Sequence, residues 1–371
     1  MTAGGVRAWS AARRPELSQA VRVVAGVAVA FAAYEVLRLP QGYWAVFTVV
    51  IVTQGSIGGT LGAASDRMIG TLAGALVGGA AAALRPRTAL GLGVALALCI
   101  GLTAYAAARS SQLKVAPVTT AIMLLSQSGG SPPELAALYR VVEIALGGAI
   151  GVLATVLVLP ARSHDAVVRH SAAALRLVAL MLEEQAGAAE RNATLPASAS
   201  HAGLRGELGA VETAYTDAER ERASRLAGHA IPPAVPRTLW RVRNDVVSVG
   251  RALHAPLPAA IATELGPAAA ALLRGEAALA ARCAAALQAV ASVPREDIGN
   301  RHDAFASSFE ALRNAGLTRG LDFDAAGRVF GLAFALEGLH RDLSDLANRV
   351  DEVATGRRIQ GRGGPSRPET D

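Results

Sequence analysis

The sequence predicts an all-α protein in two parts: a six-span transmembrane helical bundle over residues 20–160, then a soluble antiparallel helical domain over 161–355. Three observations predict it. Apolar residues make up 52% of the chain, high for a soluble protein, and the long apolar stretches all lie before Pro160. Residues 1–160 hold eleven Lys/Arg against five Asp/Glu, whereas residues 161–371 hold twenty-five of each. Past Pro160 the apolar residues recur at helical spacing between charges, with no period-2 alternation of a strand.

The basic excess accompanies the apolar half. Membrane proteins carry it there, on the loops that flank their spans, whereas a nucleic-acid face would belong to the soluble half. No nucleic-acid partner is therefore expected, despite a pI near 10. Residues 1–19 read as a cytoplasmic N-terminal segment, because Arg7, Arg13, Arg14, Pro15 and Glu16 interrupt any leading apolar core of a signal peptide.

A span needs about 20 largely apolar residues. Six segments are drawn: Val21–Leu39, Tyr43–Thr53, Met68–Leu84, Ala89–Ala108, Val115–Leu125 and Leu135–Leu159. The second and fifth are short, and a four-span count is the alternative. With the N-terminus inside, nine basic residues (Arg7, Arg13, Arg14, Arg22, Arg67, Arg109, Lys114, Arg162, Arg169) face the cytoplasm and four (Arg38, Arg85, Arg87, Arg140) face outward. That balance predicts a multi-pass protein of the plasma (inner) membrane with both termini cytoplasmic.

The soluble part divides at Pro and Gly into helices of about 163–191, 202–228, 236–255, 259–293, 301–315 and 324–355, the last capped by Asp324. The tail 356–371, rich in Arg and Gly, reads as disordered.

Gly70, Gly74 and Gly78 share one helix face, and Gly147 and Gly151 repeat the spacing in the sixth segment. Small residues so placed allow close helix approach in lipid, which predicts that these two helices pack together. Ionisable groups inside a membrane are costly unless paired or hydrated. Asp66 and Arg67 fall at the start of the third segment, Glu143 lies three residues from Arg140, and Glu35 three from Arg38. Each of the latter two pairs can close on one helix face. The run Gly55–Thr60 lacks the Lys of a phosphate loop and reads as a flexible polar link. Cys99 and Cys283 read as small buried residues, the seven His show no metal spacing, and no catalytic constellation is present. No enzyme, metal or cofactor is expected.

The run YWAVFTVVIVTQGSIGGTLGAASDRMIGTLAGALVGG resembles the signature stretch of the fusaric acid resistance (FUSC) family. It contains the Tyr43-Trp44 pair, Thr48, Gln54, Ser56, Arg67 and Gly70-Thr71. The stretches 116–125 and 140–160 resemble the family's fifth and sixth segments. The resemblance implies an inner-membrane transporter that exports small organic, aromatic carboxylic anions. Many bacterial members are nearly twice as long, so a chain with one membrane half is expected to act as a homodimer or higher homo-oligomer. The candidate substrate path comprises Gln54, Ser56, Arg67, Lys114 and Glu143. An anion channel of the same fold, or a membrane-anchored helical scaffold or regulator, are the alternatives.

Overall fold

The computed structural model describes residues 14–84, 88–125, 132–195, 200–224, 226, 234–295 and 298–362. Arg7, Arg13, Arg85, Arg87 and the tail beyond Arg362 lie outside them. Among the described residues every regular element is a helix. The chain divides into two compact units: Met1–Ser163 with Asp217–Ala227, and His164–Thr216 with Gly228–Asp371.

The first unit contains α1 (Arg14–Leu37), α2 (Tyr43–Val52), α3 (Ile57–Ala83), α4 (Ala89–Arg109), a 3-10 turn (Ser111–Leu113), α5 (Ala116–Leu125) and α6 (Pro133–Leu157). Three stretches are long and apolar enough to cross a membrane: Glu16–Leu37, Ala89–Arg109 and Glu134–Leu157. α2 and α5 have ten residues each, about 15 Å of helix against a hydrocarbon core of about 30 Å. α3 has the length, at 27 residues, but glycines, threonines and the Asp66–Arg67 pair dilute its hydropathy.

α3 begins eleven residues earlier than the sequence suggests, at Ile57 rather than Met68. Four of the six residues of the expected polar link therefore form its first turn. Ser56 caps this turn, its Oγ accepting from the Gly59 N–H at 3.0 Å. Gly58 is needed at the turn because a Cβ there would overlap the Asp217 carbonyl. The early start moves Arg67 from the expected helix end to the helix interior.

α3 and α6 pack together as expected, but not through their glycine grooves. Each seats one of the short helices. A Cβ at Gly74 would lie 2.5 Å from the Ala116 carbonyl oxygen, and one at Gly78 2.7 Å from the Met123 Cβ, so the α3 groove holds α5. Gly147 and Gly151 press against Ala45, Thr48 and Val52, so the α6 groove holds α2. α3 and α6 meet elsewhere, through Thr60 and Thr155, whose hydroxyl oxygens are 3.3 Å apart. Near the start of the bundle, Arg22 donates from Nε to the carbonyls of Val158 (3.1 Å) and Leu159 (3.0 Å), which satisfies the end of α6. The outer surface is apolar: Leu90, Leu98, Leu102 and Tyr105 of α4 are exposed, and Thr103 is the buried residue of that helix. A face of this kind belongs in lipid.

The second unit contains α7 (Ser163–Arg191, from His164 on), α8 (Ser200–Ala223, up to Thr216), α9 (Ala234–Ala252), α10 (Ala259–Ala289), α11 (Ile298–Asn314) and α12 (Phe323–Arg362). Cross-helix partners run in opposite order along α7 and α10 (Glu190 with Arg274, Arg176 with Gln288). They also do so along α9 and α12 (Arg241 with Asp345, Asp245 with Gly338). Along α10 and α12, two helices apart in sequence, they run in the same order (Glu276 with His340, Val293 with Asp351). Helices therefore alternate up and down. α9 shows the cause: Val235, Leu239, Val242, Val246 and Val249 recur every three or four residues, and each is at most 2% exposed. Cys283 is buried in this core, which pushes its thiol up to about 12.

Two helix ends depart from expectation. The cap of α12 is Asp322, whose Oδ1 accepts from the Ala325 N–H at 2.6 Å, while Asp324 falls in the first turn. α12 then runs on to Arg362, so residues 356–362, expected in the disordered tail, are helical. α12 simply continues through Gly356, whose helix penalty of about 1 kcal/mol does not by itself end a long helix.

Candidate functional site

The buried charge of the first unit converges where α2, α3 and α6 meet. Arg67 of α3 is 7% exposed and donates from Nε to the Thr48 Oγ1 of α2 at 3.0 Å. Arg140 of α6 is 3% exposed, and its guanidinium carbon lies 3.8 Å above the Trp44 ring of α2. A cation over an indole face is stabilised by the ring quadrupole, the more so when desolvated. Glu143, one turn further along α6, is fully buried and accepts from the Gln41 backbone N–H at 2.9 Å. The two arginines and the glutamate lie close enough for their charges to act on one another.

Arg140 and Glu143 do not form the direct pair expected of them, and among the described residues neither do Glu35 and Arg38. Glu143 is turned to the backbone between α1 and α2. Arg140 is turned to the indole, which leaves both of its Nη atoms buried and without a hydrogen-bond partner in the protein. The Glu143 Oε2 and the Trp44 Nε1 are likewise unpartnered. Two arginines face one carboxylate here, so the cluster is cationic. With donors to spare and a low-dielectric surround, it is suited to a small anion: a carboxylate can take both Nη groups of one arginine in a fork.

The structure gathers only part of the candidate path. Arg67 and Glu143 belong to the cluster. Ser56 lies eleven residues before Arg67 on α3, about 16 Å along the axis. Its Oγ donates to Asp217 Oδ2 at 2.8 Å. Close by, Glu221 Oε1 accepts from the Gly58 N–H at 2.9 Å, the Ser163 N–H at 2.9 Å and the Ser163 hydroxyl at 2.5 Å. One carboxylate thus caps the starts of both α3 and α7. This end is held by a structural clasp. Gln54 beside it is exposed and donates to the Ile51 carbonyl at 3.0 Å. Lys114 is exposed at the turn before α5. Trp44, Thr48 and Arg140 were missed as a set. Their signal was the Tyr43-Trp44 pair and Thr48 on one apolar segment and Arg140 on another, which nothing in the sequence joins.

Burial also changes the charge tally. Arg22, Arg67 and Arg140 are interior groups, not loop charges. Removing them turns nine against four into seven against three, in the same direction.

No curated protein matches this chain. Residues 27–154, which include the whole buried cluster, match the family described as fusaric acid resistance protein-like. With its apolar helices, this makes it a membrane protein, one whose residues 27–154 are similar to the fusaric acid resistance protein-like family.

Proposed function

We propose that the first unit exports small organic, aromatic carboxylic anions, and that Arg67 and Arg140 form the anion-binding pair. The observation that carries the reading is the unbalanced buried charge: two arginines against one carboxylate, with both Arg140 Nη atoms unpartnered. A buried ionisable group in a membrane costs roughly 2.5–3.5 kcal/mol or more, a cost that a passing anion offsets. Trp44 and Thr48 hold the two guanidinium groups, and Glu143 is the buried acid of the cluster that can couple the cycle to a proton. The protein resides in the plasma membrane with six segments crossing or entering the bilayer, both termini in the cytoplasm, and two or more copies in the working assembly. A reporter fused at position 165 is expected to report the cytoplasm.

Flux of benzoate from liposomes containing the purified protein tests the reading. Arg67→Ala and Arg140→Gln are each expected to lower it by about a hundredfold, the range for losing a charged hydrogen bond of about 3 kcal/mol. Absence of flux for any anion overturns the reading. Flux that survives Glu143→Gln but fails on Arg67→Ala rejects proton coupling through Glu143 and leaves a channel.

A further inference from the structure

The second unit has a cleft of about 630 Å³ between α9 and α12. This lies within the ~300–1,000 Å³ of small-molecule sites. One wall is a stripe along α12 with a residue every three or four positions: Phe323, Gly327, Gly331, Phe334, Gly338 and Arg341. Half of that stripe is glycine, which a helix interior disfavours. Packing within the chain does not demand it at Gly327 or Gly331, where an added Cβ would meet nothing within 4 Å. The bare backbone instead keeps open the space between two rings, Phe323 and Phe334, which are 93% and 80% exposed.

The polar groups of the cleft are unevenly charged. Arg251, Arg328 and Arg341 face Asp245 and Asp324. The Arg328 Nε and the Asp245 Oδ2 are buried atoms with no hydrogen-bond partner in the protein. Burial, and then the neighbouring Asp342, push the Asp245 carboxyl up to about 7. Its hydrogen bond with Asp342 engages the proton it holds. At Gly338 a side chain would crowd this carboxyl, since a Cβ would lie 3.2 Å from its Oδ1.

We propose that this cleft binds a small amphipathic carboxylate, its apolar body over the glycines beside the exposed rings and its carboxylate on Arg328. Burying a flat apolar body against exposed rings supplies the driving force, and the unpartnered Arg328 donor supplies orientation and the preference for an acid over a neutral analogue. The site belongs to the soluble unit and does not rest on the transport reading.

Titration calorimetry of the purified full chain with 1-naphthoate and the neutral 1-naphthamide tests it. Naphthoate is expected to bind at one site in the second unit, besides any binding at the Arg67 and Arg140 pair, with the amide at least about tenfold weaker at that site, as for a lost charged hydrogen bond. Gly331→Leu, which improves helix propensity while filling the cleft, is expected to abolish that binding. Arg328→Gln is expected to weaken it about tenfold. The same titrations on Arg140→Gln separate this site from the anion pair of the bundle, since the losses on Gly331→Leu and Arg328→Gln are expected to persist in that background. Naphthoate affinity unaltered by Gly331→Leu or by Arg328→Gln, equal affinity for the amide, or no heat up to millimolar ligand overturns the proposal. So does a change in self-association alone on Gly331→Leu.

Discussion

The two units solve the same packing problem with opposite materials. In the first, the large apolar side chains face outward (Val24, Phe31, Leu76, Leu98), and the interior is made of Gly, Ala, Thr and a few charges. In the second, Leu and Val fill the interior, with Leu272, Leu273 and Leu279 at most 1% exposed, and charged pairs such as Arg295 with Asp351 lie outside. The difference follows from the solvent. In water, burying a leucine stabilises by about 1.5–3 kcal/mol. In lipid that gain vanishes, and helices associate through close backbone approach and interior hydrogen bonds. Glycine is therefore structural cement throughout the first half, and in the second a weakness at open positions such as Gly209.

The sharpest way to break this comparison is to enlarge a glycine in each unit. Gly147→Leu would drive a side chain into the Ala45 carbonyl and Thr48 and unseat α2. With backbone in the way, relaxation is limited, so the variant is expected to lose folded protein almost completely, measured as monodisperse protein recovered from membranes. Gly209→Leu in α8 meets nothing within 4 Å and is expected to be neutral or to stabilise by up to about 1 kcal/mol through helix propensity. Equal damage from both would refute the idea that the cost follows the backbone contact each glycine makes.

The same contrast explains what could be read without the structure. α7 was legible to the residue, Ser163–Arg191, because charges on its solvent face make the period visible. The start of α3 was misplaced because Gly58, Gly59 and Gly62 look like a loop. They are helical because Asp217 and Arg220 pack against the backbone there, from about 160 positions further along the chain. Such partners leave no local trace. Arg67 and Glu143 were legible as costly charges, but what each touches was not. Nearest-neighbour spacing proposed Arg140 for Glu143, and the fold chose the Gln41 backbone instead.

A smaller effect separates the two kinds of exposed and buried leucine. Leu272→Ala in α10 is expected to destabilise the second unit by about 2–5 kcal/mol, the range for emptying a fully packed core site. Leu98→Ala on α4, where Leu98 is 67% exposed, is expected to change the stability of the first unit by less than about 0.5 kcal/mol in a bilayer, as at other surface positions. Chemical unfolding followed separately in the two units checks this. A large loss from Leu98→Ala would show that α4 packs against another copy rather than against lipid.

The smallest effect concerns pH, and only the second unit should show it. His340 of α12 stacks on His302 of α11, with ring centroids 4.4 Å apart. Its Nδ1 lies 2.7 Å from Oε1 of the fully buried Glu276 of α10. Glu337, which lies 2.6 Å from the His302 Nε2, and Asp303 face the same pair. The hydrogen bond to Glu276 holds the His340 imidazole above its ordinary pKa, against the opposing effect of burial. A cationic group raised in this way stabilises the fold fully below its ordinary value, and that stability is lost as pH rises through the folded value. Asp245, also raised, acts in the same direction but at lower pH, between its ordinary value and about 7. The unfolding midpoint of the second unit is therefore expected to fall as pH rises above neutrality. His340→Gln should flatten that limb, and Asp245→Asn should flatten only the limb below it. A midpoint that instead rises across neutrality in the wild type would mean that the Glu276 bond does not hold the proton on His340.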